Sequence, residues 1–271
     1  MNTAHATIDL KAMKTKQHAA WSAGNYSLIG TTLQIVGEDL AEAVGCSSGQ
    51  TVLDVAAGNG NATLAFARRF CDVTSTDYVS ELLENGRARA AVEGTDVTFQ
   101  VEDAESLSFG DDSFDIVVST FGVMFTADQQ SAAAEMMRVC KPGGTIGMAN
   151  WTPDSFVGRL FKIISKHTSA PAAAPKPPVW GTASWLEETF ADAQDIVMAP
   201  KLFNFYHRSP GAFVEFFRTW YGPTQRVFAS LDEQGQAALE RDFLELIRDC
   251  NTATDGTMRV PSEYLEVIVS V

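Results

Sequence analysis

Three aspartates stand at the ends of apolar, β-branched runs, and a glycine-rich turn follows the first of them. They are Asp54, Asp77 and Asp103. In an open parallel sheet the carboxyl ends of the strands share one edge, and ligands bind there. A carboxylate at that edge can accept hydrogen bonds from ligand hydroxyls and amines. A single strand-end aspartate is more often a turn or N-cap residue, but three in register favour a binding site.

The turn after Asp54 departs from the pattern that binds dinucleotides. From Gly58 the sequence reads GNGNAT, so Thr63 stands where GxGxxG has its third glycine. Those glycines let the backbone approach a pyrophosphate at a helix N-terminus. The carboxylate of Asp54 would repel a pyrophosphate, whereas it would favour a ligand with an ammonium or sulfonium group. The turn therefore disfavours a pyrophosphate and favours a ligand with a positive charge.

The composition limits the partners of this chain of 271 residues. Its formal net charge is −14, whereas proteins that bind nucleic acids usually carry a basic patch, so we expect no nucleic acid partner. The densest basic cluster contains Lys14 and is expected to be a solvated helix face. No apolar run reaches the roughly 18–20 residues of a membrane span. The partner is then expected to be a small molecule, and the protein a monomer or homodimer.

The cysteines and the first residues suggest where the protein works. The four cysteines are scattered without a CxxC pair, which favours a reducing compartment and argues against a metal site or a disulfide framework. The first sixteen residues, MNTAHATIDLKAMKTK, lack the apolar core of a secretory signal. We expect a cytoplasmic protein without a metal.

Strands and helices alternate in the predicted secondary structure. The predicted strands are 51–56, 72–78, 96–103, 114–122, 145–151, 201–207 and 262–271. The predicted helices are 9–23, 31–44, 61–70, 80–94, 131–140, 155–167, 185–193, 211–229 and 232–250, with a break at 24–30, a turn at 141–144 and an extended connection at 169–178. This alternation predicts an α/β fold with a doubly wound, mostly parallel seven-stranded sheet.

Four stretches resemble the class I S-adenosylmethionine-dependent methyltransferases, in particular the group that includes ubiquinone/menaquinone C-methyltransferases. They are VLDVAAGNGNATLA, TSTDYVSELLENGRARA, VEDAESLSFGDDSFDIVVSTFGVMF and MRVCKPGGTIGMANW, in the family's order between residues 51 and 151. The resemblance implies a Rossmann-like methyltransferase fold and the cofactor S-adenosyl-L-methionine, with S-adenosyl-L-homocysteine as product. Ala56 departs from the family, which usually has glycine there.

The resemblance also implies a cofactor site at the ends of the first four strands. Its residues would be Asp54, Ala56, Ala57, Gly58, Gly60, Asp77, Tyr78, Asp103, Ala104, Ser119, Thr120 and Phe121. The first five would surround the methionine part of the cofactor. Asp77 would hold the ribose with Tyr78 near the adenine, and Asp103 and Ala104 would contact the adenine edge. The last three would lie beside the sulfonium and the methyl acceptor.

Two helical segments are expected to cover this edge of the sheet. Residues 1–45 would form an N-terminal lid, and 208–259 a cap inserted between the last two strands. The cofactor-binding α/β domain would then comprise 46–207 and 260–271. The candidates for an acceptor pocket are His18, Trp21, Tyr26, Phe125, Trp151, Trp220 and Tyr221. Four aromatic residues, Phe213, Phe216, Phe217 and Trp220, share one helix face, which indicates either a core stripe or a pocket wall.

The chemistry expected at such a site needs few protein groups. The cofactor carries an activated methyl group, so proximity and alignment supply most of the catalysis in an in-line displacement. A base is needed only for a protonated nucleophile. His18 is the candidate by location, but a surface or packing role is more common for a single histidine, and no catalytic residue is assigned. STFG (119–122) replaces the [D/N]-P-P-[Y/F] motif of enzymes that methylate nucleobases or amides.

Three functions remain open from the sequence. The first is methyl transfer to a small, apolar or aromatic O-, C- or N-acceptor. The second is a non-catalytic module that binds S-adenosylmethionine, which would need the same turn and acids. The third is a nicotinamide dehydrogenase on a similar sheet, which the missing third glycine disfavours.

Overall fold

The computed structural model describes residues 9–168 and 176–271, and its centre is a seven-stranded sheet. The strands are β1 (Thr51–Val55), β2 (Asp72–Asp77), β3 (Val97–Val101), β4 (Phe114–Thr120), β5 (Cys140–Trp151), β6 (Asp195–His207) and β7 (Met258–Ser270). Their order is β3-β2-β1-β4-β5-β7-β6. The strands β1 to β5 pair in parallel, and β7 runs antiparallel to both of its neighbours. The predicted doubly wound, mostly parallel sheet is confirmed.

Helices flank the sheet, and the first described element, α1, is a helix. They are α1 (Leu10–Trp21), α2 (Tyr26–Gly30), α3 (Gln34–Val44), α4 (Asn61–Ala67), α5 (Ser80–Glu93), α6 (Gln129–Val139), α7 (Phe156–His167), α8 (Ala183–Thr189), α9 (Pro210–Trp220), α10 (Gly222–Ser230) and α11 (Glu233–Cys250). Several begin at a side-chain cap: Asp128, Ser155 and Asp232 each accept a hydrogen bond from a backbone N–H three residues on. None of the described helices is both long and apolar enough to cross a membrane.

Strand β1 lies at the centre of the core because both of its faces are covered. Leu53 packs in the larger apolar cluster and Val52 in the smaller, and neither has exposed surface. A strand buried on both faces has a continuous apolar sequence, as TVLDV has on either side of Asp54. The glycine turn therefore begins at the carboxyl end of a strand that the core holds rigidly.

Ion pairs hold the helix that follows the glycine turn. Arg68 pairs with Glu38 on α3 and with Glu93 on α5, and Arg69 pairs with Glu38 and Glu42. These arginines directly follow α4, so the pairs connect its end to both neighbouring helices. Each pair is partly exposed and adds little by itself, but the network fixes α4 and hence the turn before it.

Two predicted helical boundaries in the covering segments were wrong. The break predicted at 24–30 contains α2, because the side chain of Asn25 accepts from the N–H of Ser27 and starts a short helix. The single helix predicted at 211–229 is two helices that separate at Tyr221. Pro223 lacks an N–H and its ring would clash with a carbonyl four residues back, so the first helix cannot continue through it.

Two predicted connections also differ from the structure. The turn predicted at 141–144 is part of β5, whose pairing with β4 shifts register between Phe114 and Ile116. Of the extended connection predicted at 169–178, residues 169–175 lie outside the described residues. The end of the predicted connection belongs instead to a short 3-10 helix, Pro177–Gly181. Prolines at its first positions favour this helix.

Candidate functional site

The turn after β1 is held in a conformation that is unusual for alanine. Ala56 has a φ of 53°, in the left-handed region, where a Cβ costs about 1 kcal/mol. Its neighbour Gly122, after β4, has no side chain, and a Cβ there would lie 2.3 Å from the Ala56 carbonyl oxygen. The turn therefore accepts Ala56 in place of the family's glycine because Gly122 leaves room beside it.

Asp54 is fully buried and binds the helix that follows the glycine turn. Its Oδ2 accepts hydrogen bonds from the backbone N–H of Thr63 at 2.8 Å and from the Thr63 hydroxyl at 2.6 Å. Within the described residues its Oδ1 has no hydrogen-bond partner. Burial raises the pKa of Asp54 to about 7, against the lowering effect of the Thr63 donors. The residue in place of the third glycine, Thr63, thus holds the acid of the first strand.

Asp77 connects the end of β2 to the same turn. Its Oδ2 accepts from the N–H of Gly58 at 3.0 Å, and its Oδ1 accepts from the N–H of Val79 at 2.9 Å. Burial raises the pKa of Asp77 to about 6, although these backbone donors lower it. A carboxylate has about four acceptor positions, so each oxygen can still accept a ligand hydroxyl.

A cavity of about 890 Å³ lies at the carboxyl ends of β1 to β4. Nine of the twelve predicted cofactor residues line it: Ala56, Ala57, Gly58, Asp77, Tyr78, Asp103, Ala104, Thr120 and Phe121. Asp54 and Gly60 lie behind its wall, with Gly60 in a left-handed conformation just before α4. The structure thus gathers the residues of four strand ends around one space.

Ser119 does not face this cavity, contrary to the expectation that it would lie beside the acceptor. It is fully buried, its hydroxyl donates to the carbonyl of Val55 at 2.8 Å, and it accepts from the N–H of Val123 at 3.1 Å. Side chains alternate along a strand, so the side chain next to Thr120 points away from the cavity. Ser119 joins β1 to the turn after β4.

Helix α1 covers the cavity through polar contacts. Lys14 forms ion pairs with Asp103 and, at 2.7 Å, with Glu105, and Gln17 donates to the carbonyl of Phe125 at 2.9 Å. Partial burial lowers the pKa of Lys14, but the two carboxylates outweigh it and raise the pKa. Lys14 was predicted to be solvated, and that prediction is wrong. The fold brings it to residues about ninety positions away, which no local pattern indicates.

Sequence reasoning also missed Asn59 and Glu105 as residues of the cavity wall. Asn59 is buried, and within the described residues its Nδ2 has no hydrogen-bond partner. Glu105 accepts from the N–H groups of Ala127 and Asp128 and also pairs with Lys14. Their positions in the sequence could have identified them. Asn59 lies within the glycine turn, and Glu105 lies two residues after a strand-end acid.

A second cavity of about 600 Å³ adjoins the first, and its lining is almost entirely apolar. The two cavities share the side chains of Trp21, Tyr26, Leu33, Phe121 and Phe125. Phe121 has a φ of 58°, so it is strained at this junction, and its ring stacks on that of Trp151 with centroids 4.0 Å apart. The shared residues therefore form a rigid, largely aromatic border along which the two cavities adjoin.

Five of the seven predicted acceptor residues line the second cavity: Trp21, Tyr26, Phe125, Trp151 and Tyr221. His18 is exposed and packs edge-on against Tyr78, and Trp220 is 38% exposed; neither lines a described cavity. The aromatic face of α9 is divided: Phe213 and Phe217 line the second cavity, whereas Phe216 packs against His207.

Comparison with known proteins gives a family for this site. Residues 53–148 match the family described as a methyltransferase domain. An uncharacterized protein of Mycobacterium tuberculosis (strain H37Rv) is 36% identical over 270 residues, which cover 96% of this chain and 97% of that protein. The demethylmenaquinone methyltransferase of Renibacterium salmoninarum is 38% identical over 117 residues, 43% of this chain and 48% of that protein.

Solved structures share the fold at low sequence identity. The YcgJ protein from Bacillus subtilis has a TM-score of 0.58 at 19% identity and covers 86% of this chain and 97% of its own. A structure described as a putative methyltransferase from Bacillus halodurans has a TM-score of 0.59 at 20% identity, with coverages of 86% and 96%. The chain therefore contains a methyltransferase domain at residues 53–148 and is a methyltransferase enzyme, and these solved structures share its fold.

Proposed function

We propose that the cavity at the strand ends binds S-adenosylmethionine and that the apolar cavity beside it binds a small, flat, apolar or aromatic methyl acceptor. The proposal rests on the side chains that line both cavities. A methyl group can pass in line only if donor and acceptor meet at one place, and the two cavities meet at five common side chains.

The residues of the larger cavity fit the proposed cofactor. Asp77 keeps acceptor positions for two ribose hydroxyls, and Ala104 lies beside Asp103 where an adenine edge would be contacted. Asn59 has a spare donor for the cofactor's carboxylate. Asp77, whose pKa of about 6 leaves it mostly ionised at neutral pH, gives this region negative charge, which suits a ligand whose sulfur is positive. When bound, S-adenosylmethionine supplies the activated methyl group.

The second cavity supports alignment rather than acid–base catalysis. Of its described lining, the side chains are apolar or aromatic except for the hydroxyl of Thr224, and none is a carboxylate, histidine or lysine. Aromatic walls such as Phe121 and Trp151 would hold a flat acceptor and exclude water. One relative is a demethylmenaquinone methyltransferase, and a flat ring such as that of demethylmenaquinone would suit such walls.

The covering segments complete the proposed acceptor site. We assign the described part of 1–45 as the lid, 208–259 as the cap, and 46–207 with 260–271 as the cofactor-binding domain. The lid supplies Trp21 and Tyr26, the cap supplies Tyr221, and a β-bridge joins Gly24 to Tyr221. Both cavities are built by one chain, which supports action as a monomer or as a homodimer. The scattered cysteines support a cytoplasmic location.

Incubation with methyl-labelled S-adenosylmethionine and a bacterial metabolite extract tests this function. The expected result is a labelled small molecule formed together with an equal amount of S-adenosylhomocysteine. The variant Asp77→Ala serves as the control and, at a cofactor concentration near the wild-type Kd, should form several-fold less of both. Tight binding of the cofactor without any transfer to extracts of several sources would instead indicate a non-catalytic binding module.

A further inference from the structure

We propose that Tyr26 and Tyr221 orient the acceptor by donating hydrogen bonds to one of its oxygen atoms. The acceptor would then be a flat apolar molecule that carries a carbonyl or phenolate oxygen conjugated to its ring system. This inference rests on the proposed function, since it assigns the apolar cavity to the acceptor.

Tyr26 occupies the junction of the two cavities. Its ring lies over the glycine turn so closely that a Cβ on Gly58 would come within 3.1 Å of Cε1 of the tyrosine. It lines both cavities, and the edge of Trp21 contacts it with ring centroids 5.6 Å apart. A group held by the Tyr26 hydroxyl would therefore lie next to the place where the cofactor cavity opens.

Tyr221 stands beside Tyr26 on the opposite covering segment. The two ring centroids are 6.4 Å apart, and Trp21 contacts Tyr221 edge-on at 5.6 Å as well. The backbone of Tyr221 forms the bridge to Gly24, which fixes the distance between the two segments. The pair is therefore held in place by packing and by backbone pairing before any ligand arrives.

Both phenol groups are free to bind a ligand. Within residues 9–168 and 176–271, neither hydroxyl makes a hydrogen bond to the protein, and neither is among the fully buried polar atoms without a partner, so each keeps surface that water or a ligand can reach. A tyrosine hydroxyl in an apolar setting usually has a partner, because an unsatisfied polar group is costly when it is removed from water. An acceptor oxygen in the cavity would supply that partner.

The two hydroxyls act as donors at neutral pH. Burial raises the pKa of Tyr26 to about 12, with a further contribution from the charge of Asp77. Burial and the neighbouring Tyr26 raise the pKa of Tyr221 as well. Since both phenols stay protonated, each can donate to a lone pair of the same oxygen, and a carbonyl or phenolate oxygen has room for two donors.

The surroundings disfavour a cationic amine as acceptor. The described lining of the second cavity contains no carboxylate that would pair with an ammonium group. An isolated ammonium in an apolar cavity carries a large desolvation cost. An oxygen that accepts two phenol hydrogen bonds avoids this cost, and the flat aromatic walls suit a ring conjugated with that oxygen.

A matched pair of probes tests the role of the hydroxyls. Calorimetry would measure the binding of 1-tetralone and of tetralin, which has the same skeleton without the carbonyl, to protein saturated with S-adenosylhomocysteine. Wild-type protein should bind 1-tetralone about tenfold more tightly than tetralin, as expected for two neutral hydrogen bonds. Tyr26→Phe and Tyr221→Phe should each reduce this preference about threefold, and the double variant should abolish it. Tyr206→Phe, at an exposed tyrosine outside both cavities, should keep it.

The outcomes separate this inference from the proposed function. Equal binding of the two probes to the wild-type protein, a preference that survives in the double variant, or binding of neither probe would overturn the role of the hydroxyls. Tyr221→Phe and Tyr206→Phe, whose side chains do not line the larger cavity, should keep the wild-type affinity for S-adenosylhomocysteine. Failure of the wild-type protein to bind S-adenosylhomocysteine would contradict the proposed function instead, and titration of both probes without it would still decide the role of the hydroxyls.

Discussion

At the scale of single residues, the site depends on groups kept in unfavourable states. Asp54 and Asp77 are buried acids whose pKa values are raised, and Ala56 and Phe121 have left-handed backbones. Each state costs stability in the free protein, and such costs concentrate at functional sites. A ligand with hydroxyls and positive charge would relieve the cost at the two acids.

The affinity for S-adenosylhomocysteine should depend on the protonation of Asp77. Its pKa of about 6 means that the carboxyl is largely protonated below pH 6, whereas ribose hydroxyls are accepted best by the ionised form. We expect affinity to rise about fivefold from pH 5 to pH 6, about tenfold from pH 5 to pH 7, and to level off above pH 7. Calorimetry across this range would measure it, and Asp77→Asn should flatten the curve. A wild-type curve as flat as that of the variant would rule out this role.

Asp54→Asn should change how stability depends on pH. The carboxyl of Asp54 has an ordinary pKa of about 3.9 in the unfolded chain and about 7 in the folded protein. Between these values the folded protein holds more protons, so the free energy of unfolding falls as pH rises. The free energy of unfolding of the variant should not fall in this way. From pH 4 to pH 7.5 it should therefore rise by a few kcal/mol relative to that of the wild-type protein. Urea unfolding without cofactor would show it, and parallel pH curves would contradict it.

Substitutions at the turn should affect stability in opposite directions. Ala56→Gly relieves a left-handed alanine and should raise the free energy of unfolding by up to about 1 kcal/mol. Gly122→Ala would press a Cβ against the carbonyl of Ala56 and should lower it by about 1–3 kcal/mol. Thermal and urea unfolding would measure both. A stable Gly122→Ala variant would mean that the turn is not tightly packed.

At the scale of elements, α1 is attached to the sheet edge by polar groups. It has no buried residue, and its described contacts across the cavity are those of Lys14, Gln17 and Trp21. By contrast, α9 and α11 bury Phe213 and Phe243 in the core. The aromatic contacts of α1 with the covering segments are made by its last residue, Trp21, so the start of the helix can open at a small free energy and is suited to admit a ligand.

Removal of the ion pairs should loosen α1 without unfolding the domain. Lys14→Ala leaves Asp103 and Glu105 without their cation, so amide hydrogens of residues 10–21 should exchange several-fold faster. Lys11→Ala, at an exposed position of the same helix, is the matched control and should leave exchange unchanged. Hydrogen exchange followed by mass spectrometry would compare the variants. Equal exchange in both would show that other contacts hold the helix.

At the scale of the whole molecule, the sequence predicted the sheet and many of the residues that line the larger cavity because both follow local patterns. Apolar runs mark β1 to β5, and parallel pairing then brings their acids to one edge. The ion pair of Lys14 was missed because it joins distant segments, and Ser119 was misplaced because the family's pattern does not give the direction of its side chain. A single helix was predicted in place of α9 and α10 because the apolar spacing continues across Pro223.

Titration of the purified protein with S-adenosylhomocysteine in a calorimeter tests the central claim most directly. We predict one bound molecule per chain for wild type and at least tenfold weaker binding for Asp77→Ala with the fold intact, since that variant loses the acceptor at the end of β2. Asp72→Ala, at the exposed start of the same strand, should bind as wild type does. Absence of binding to the wild-type protein, or unchanged affinity in Asp77→Ala, would contradict the assignment of this cavity to the cofactor.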